Sequence, residues 1–157
     1  DWDPKKGASV VLGAGGASRA VIAALLSEGS DKIILLNRTL EKAQELKIEF
    51  NNKISVESWS HLNEIVASSN NIINTTSLGM NDETSVPINP LSIPKEALIS
   101  DLVYTPLETK LMKLGKDRGS KIVDGLGMLI YQGIPGFEAW FGKTPLVTEE
   151  LRKILIK

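Results

Sequence analysis

The sequence predicts a doubly wound α/β fold: one domain, with a parallel sheet between two layers of helices. Three observations predict it. Val10-Val11-Leu12 and Ile33-Ile34-Leu35-Leu36 are continuous apolar runs, as in strands buried on both faces. Gly13-Ala14-Gly15-Gly16-Ala17-Ser18 follows the first run as a glycine turn opening a helix. Strand-like and helix-like segments then alternate along the chain.

The elements are expected in this order. A first strand covers about 9–13, and a helix covers about 17–28, where Gly29 ends it. A second strand covers 32–37, and a helix runs from Leu40 to about Phe50. A short strand at 54–56 and a short helix at 61–67 follow, with His61 starting that helix on the surface. The next strand is 71–74. The 81–94 segment carries Pro87, Pro90 and Pro94 and reads as a loop over the carboxyl edge of the sheet. A strand at 99–103 precedes a helix opened by Pro106 and Thr109 and reaching about Asp117. Lys121–Val123 makes the last strand. An apolar helical stretch spans 126–140, and Val147, Leu151, Ile154 and Leu155 recur at helical spacing near the end.

The turn after the first strand has the chemistry of a dinucleotide site, which makes the fold Rossmann-like. Gly13 allows the tight turn, and Gly15 lets the backbone approach a pyrophosphate. The helix beginning near Gly16 or Ala17 aims free N–H groups and its positive dipole end at the phosphates. The pattern departs from the simplest G-x-G-x-x-G, because Ala17 and Ser18 follow Gly13-x-Gly15-Gly16. A glycine turn without a ligand would look much the same.

The end of the second strand is more specific. Asn37 stands about 20 residues past the turn, where a site for NAD carries an acid that accepts from the ribose 2′-hydroxyl. An acid would repel a 2′-phosphate, and Asn37 does not. Arg38 offers a planar fork of donors. Thr39 adds a hydroxyl and can cap the next helix, and Lys42 is within reach of the same phosphate. Asn37-Arg38-Thr39 therefore points to NADP(H). The plainer reading makes Arg38 and Lys42 solvated charges and Thr39 only a cap.

Composition narrows the function classes. The chain has 157 residues, 42% hydrophobic and 24% charged, with a net charge of −1. That balance gives no reason to expect nucleic acid or an anionic membrane as partner. There is no Cys, so thiol catalysis and thiolate metal sites are excluded, and one His makes no histidine metal cluster; no metal is expected. No run approaches the roughly 20 apolar residues of a membrane span. A cytoplasmic protein is the expectation.

Three more segments fall at expected carboxyl ends of strands: Asn74-Thr75-Thr76-Ser77-Leu78-Gly79-Met80, Asp101 to Thr109, and Asp124-Gly125-Leu126-Gly127-Met128-Leu129-Ile130-Tyr131-Gln132-Gly133. With the glycine turn and Asn37-Arg38-Thr39, they resemble the shikimate dehydrogenase family over nearly the whole chain. The resemblance implies that Gly13, Ala14, Gly15, Gly16 and Ala17 hold the pyrophosphate, and that Asn37, Arg38, Thr39 and Lys42 hold the 2′-phosphate of NADP. Lys42 replaces the Arg of some relatives, keeping the charge and losing the fork. Thr75, Thr76 and Ser77 would line the cofactor's path, with Leu78 packed on it. Val103, Gly125, Met128 and Leu129 would border the nicotinamide, and Tyr104 and Gln132 would face the substrate. Thr105 stands where many members have Asn.

Several of these residues also have plainer readings. Met128 and Leu129 equally suit a core, and Tyr104 a buried aromatic. Gln132, polar in an apolar stretch, needs a partner, and a substrate hydroxyl is one. Asp101 and Asp124 read as caps and turns.

The implied reaction is reduction of 3-dehydroshikimate to shikimate with NADPH, a step of aromatic amino acid biosynthesis. The family's Lys and Asp that handle the substrate's proton lie on a separate N-terminal substrate domain without counterpart here, so no catalytic residue is expected in this chain. Residues 1–8 read as a linker from that missing domain, 9–142 as the NADP-binding unit, and 143–157 as a helix packing toward the substrate domain. Alone, the chain is expected to bind NADP(H) without oxidising shikimate, as a monomer or homodimer. Alternatives are a quinate/shikimate dehydrogenase using either cofactor and a non-catalytic NADP-binding or redox-sensing module. The nucleotide domain of a glutamyl-tRNA reductase shares the turn, but the segment from Gly125 to Gln132 does not suit it.

Overall fold

A computed structural model describes residues 3–82 and 84–156. The strands are β1 (Ala8–Leu12), β2 (Ile33–Asn37), β3 (Ser55–Ser58), β4 (Ser69–Asn74), β5 (Leu98–Asp101) and β6 (Lys121–Val123). They form a six-stranded sheet in the order β3-β2-β1-β4-β5-β6, parallel throughout. The helices are α1 (Gly16–Ser27), α2 (Leu40–Glu49), α3 (Leu62–Ala67), α4 (Lys110–Asp117), α5 (Gly125–Phe141) and α6 (Glu149–Leu155). This is the expected doubly wound α/β arrangement. The strand order reverses between β1 and β4, so the chain leaves their paired carboxyl ends toward opposite faces of the sheet and a crevice opens there.

Alternation along each strand divides the core in two. Val10 and Leu12 of β1 and Ile34 and Leu36 of β2 point to one face. Val11, Ile33 and Leu35 point to the other. On the second face the cover is regular: α1 brings Ile22 and Leu25, and α2 brings Ala43 and Leu46. On the first face α3 supplies Leu62 and Val66 and α4 supplies Leu111, and the rest comes from irregular chain. Val86, Ile88 and Ile93 are buried there. The 81–94 segment is thus more than a loop over the sheet edge, because it fills the place of a helix layer.

Element ends fall within two residues of expectation except the start of α4, four residues late, and two differences have a clear cause. The strand expected at 99–103 stops at Asp101. The Asp101 carboxylate accepts from the Val103 N–H at 3.1 Å, which turns the chain out of the ladder. The helix expected from Pro106 starts at Lys110, after Thr109, whose hydroxyl accepts from the Met112 N–H. At the other end of the fold Gly29, at φ +83°, closes α1 as expected, with the Ser30 N–H donating to the Leu25 carbonyl.

α5 and α6 sit differently from the rest. Asp124 caps α5 by accepting from the Leu126 N–H at 3.1 Å, and its other carboxylate oxygen is paired with Arg152 of α6. Beyond this anchor Tyr131, Phe137, Trp140, Phe141, Ile154 and Leu155 are exposed. Phe137 and Phe141 pack on each other, with ring centroids 4.6 Å apart. No described helix is long and apolar enough to cross a membrane.

Candidate functional site: a cleft at the sheet's switch point

A cleft of about 520 Å³ opens where β1, β2 and β4 end. Gly13, Ala14 and Gly15 line it from β1, Asn37, Arg38, Thr39 and Lys42 from β2 and α2, and Thr75, Thr76 and Ser77 from β4. With Leu78, which also lines it, eleven of the residues singled out in the sequence meet in one place. Gly16 and Ala17 form the exposed first turn of α1 at its mouth.

The floor of the cleft needs glycine for two reasons. Gly13 has φ +99°, and a Cβ there would lie 2.7 Å from the Thr76 methyl. At Gly15 and Gly16 an added Cβ would meet none of the described residues within 4 Å. These two glycines leave the amides of the α1 N-terminus open to solvent and to a ligand. Among the described residues no side chain caps that terminus, and its first turn holds no acid. Ser18, missed in the sequence reading, is buried and donates to the Gly15 carbonyl at 2.6 Å, which fixes the turn. Unpartnered amides and the dipole together make an anion site, and a pyrophosphate fits it.

Next to it lies a cationic corner. Arg38 and Lys42 are exposed, and among the described residues neither forms a salt bridge. Thr39 occupies the N-cap position of α2 without a side-chain cap. The expected cap is absent, and the hydroxyl remains available to a ligand. Asn37 is more committed than expected: its Oδ1 accepts from the Ala14 N–H at 3.2 Å, and its Nδ2 donates to the Thr39 carbonyl at 2.7 Å. It ties the glycine turn to the start of α2, and so positions Arg38 and Thr39.

The β4 side is held by a network that sequence spacing does not reveal. The Thr75 hydroxyl donates to the Leu12 carbonyl at 2.6 Å, stitching β4 to β1. The Thr76 hydroxyl donates to Asn74 Oδ1 at 2.6 Å. Asn74 Nδ2 donates to Asp101 Oδ1 at 2.9 Å and to the Leu78 carbonyl at 3.1 Å. Thr109 donates to Asp101 Oδ2 at 2.7 Å. Burial pushes the Asp101 carboxyl above its ordinary range, and the bonds from Thr109, Val103 and Asn74 oppose that rise. The signal for this network was the pair of polar residues ending two apolar strands.

The remaining expected residues lie along the same edge without lining this cleft. Val103 is buried, and Tyr104, just after it, is exposed. Gly125 begins α5 against the backbone of Leu102 and Val103. Further along α5 Met128 and Leu129 are half-buried, and Gln132 is exposed. Conversely, the cleft includes Trp59, Thr84, Ser85 and Pro87, which the sequence reading did not assign.

Comparison with known proteins agrees with this geometry. Residues 3–82 match the family described as shikimate / quinate 5-dehydrogenase. Residues 125–154 match the shikimate 5′-dehydrogenase C-terminal domain. The shikimate dehydrogenase (NADP(+)) of Mesorhizobium japonicum is 48% identical over 150 residues, covering 96% of this chain and 54% of that protein. That of Rhizobium meliloti is 46% identical over 155 residues, covering 99% and 54%. The chain spans about half the length of the curated relatives it matches. Among solved structures, Thermus thermophilus shikimate 5-dehydrogenase in complex with NADP(H) and shikimate superposes with a TM-score of 0.78 at 35% identity, over 90% of this chain and 51% of that one. Quinate dehydrogenase from Corynebacterium glutamicum in complex with NAD gives 0.86 at 28% identity, over 96% and 55%.

Proposed function

This chain belongs to the shikimate / quinate 5-dehydrogenase family, and from that premise we propose that it is the NADP-binding part of a shikimate dehydrogenase, serving the reduction of 3-dehydroshikimate to shikimate. One observation carries the cofactor choice. Arg38, Thr39 and Lys42 share a cleft with the open N-terminus of α1, and Asn37 stands where an acid would exclude a 2′-phosphate. When bound, the nicotinamide supplies the hydride. The chain's own residues do the rest of the holding. Amides at Gly15 and Gly16 bind the pyrophosphate, Arg38 and Lys42 neutralise the 2′-phosphate, and Asn37 keeps the two subsites in register.

Val103, Gly125, Met128 and Leu129 would border the nicotinamide, and Tyr104 and Gln132 would present hydroxyl and amide groups to the substrate. We assign residues 9–142 to the cofactor unit and 143–157 to contact with a substrate domain. The exposed apolar side chains of Leu146, Ile154 and Leu155 support the assignment of 143–157. The TM-score of 0.86 to a quinate dehydrogenase in complex with NAD favours a second reading, a quinate/shikimate enzyme using either cofactor; Arg38 weighs against it.

Titration of the wild type and Arg38→Ala with NADPH and NADH tests the cofactor claim. A charge-assisted bond contributes about 1.5–3 kcal/mol. Arg38→Ala is therefore expected to weaken NADPH about tenfold or more and leave NADH unchanged. Equal wild-type affinities for the two cofactors would overturn the claim.

A further inference from the structure

We infer that Trp59 is the stacking wall for the adenine of the bound dinucleotide, a role that rests on the NADP reading and extends it to the nucleobase. β3 runs parallel to β2 with Ser58 in register with Asn37. Trp59, the next residue, therefore leaves the sheet beside Arg38, at the adenosine end of the cleft. It lines that cleft together with Arg38, Thr39 and Lys42, and among the described residues no other lining side chain is aromatic.

The indole is held in place. Its partly buried side packs against the core cluster that includes Leu62, Val66 and Val86. Its backbone sits in a 3-10 turn, Trp59–His61, where Ser58 Oγ accepts from the Ser60 N–H and the Leu62 N–H donates to the Trp59 carbonyl. A ring fixed on one side and open to a cleft on the other is a preorganised platform for a flat base. The rest of the cleft wall on that side, Thr84, Ser85 and Pro87, offers no second aromatic ring. Arg38, whose plane also suits a base face, lies on the phosphate side of the same corner.

The test compares 2′,5′-ADP with 5′-AMP, which lacks the 2′-phosphate. Trp59→Ala is expected to weaken both ligands by the same factor, about tenfold for one lost stacking contact. Trp59→Phe is expected to retain most of the affinity. Arg38→Ala is expected to weaken 2′,5′-ADP far more than 5′-AMP. Indole emission supplies an independent readout that survives if Trp59→Ala fails to fold. The wild type is expected to lose fluorescence on saturation with 2′,5′-ADP, and Trp59→Phe to lose that response. Full 2′,5′-ADP affinity in Trp59→Ala, or an unchanged quench in Trp59→Phe, overturns the stacking role and leaves the NADP reading standing. Absence of any 2′,5′-ADP binding to the wild type overturns both.

Discussion

Gly125→Ala is expected to lower stability by about 3 kcal/mol, the upper end of ordinary overpacking. An added Cβ would lie 2.4 Å from the Leu102 carbonyl oxygen, 2.6 Å from the Leu102 carbonyl carbon and 2.7 Å from the Val103 oxygen. All three atoms are backbone, so no flexible side chain can yield. Relief requires α5 to slide away from the end of β5. That movement strains the Asp124 cap and the Asp124–Arg152 pair, which anchor both terminal helices. It also displaces Met128, Leu129 and Gln132, while the Arg38 corner lies on the other side of the switch point. Urea unfolding should therefore show the stability loss, and 2′,5′-ADP should still bind the fraction that is folded. Gly127→Ala is the control: an added Cβ there meets nothing within 4 Å, and alanine favours a helix interior by about 0.8–1 kcal/mol over glycine. Wild-type stability in Gly125→Ala would show that the α5–β5 approach is looser than its geometry implies.

The legible parts of this molecule are those where one residue type answers one local demand. Continuous apolar runs marked β1 and β2, and a glycine turn marked the phosphate end of the cleft. Asn37-Arg38-Thr39 marked the corner suited to a 2′-phosphate. What stayed hidden depends on chain brought together from a distance. The core contributions of Val86, Ile88 and Ile93 have no helical or strand period, because irregular backbone presents them. The roles of Asn37 and Thr39 reversed in emphasis: the amide is spent on Ala14 and Thr39 backbone, and the hydroxyl expected to cap α2 does not. Trp59 had no role in the sequence pattern; only the pairing of β3 with β2 sets it beside Arg38. Asp101 was legible as a turn residue, but its bonds to Asn74 and Thr109 cross 27 and 8 residues. No spacing rule connects those three.

That buried carboxylate gives the second large effect, and its sign with pH can be worked out. Asp101 is 1% exposed and accepts from Asn74, Val103 and Thr109. Asp101→Ala leaves three buried donors without an acceptor. Each costs about 1–3 kcal/mol, offset in part by removing a carboxylate that burial disfavours, for a net loss of about 3 kcal/mol. Asn74 also loses a partner, so the Thr76–Leu78 turn loosens and NADPH binding should weaken beyond the stability loss. Asp101→Asn is gentler, because Oδ1 can still accept while Nδ2 meets Thr109. The charged form of Asp101 is the costly one: its folded pKa lies above the ordinary 3.8. Between those two values the native state keeps a proton that the unfolded chain has released. This contribution therefore falls as pH rises through that window and is greatest below 3.8. Other carboxylates contribute to the wild type and to Asp101→Asn alike, and their difference removes them. The stability of the wild type minus that of Asp101→Asn should decline as pH rises from about 4, then level off above the folded pKa. A difference that does not change with pH would mean that water or local opening already solvates the carboxylate, and that the network holds the cleft without burying a charge.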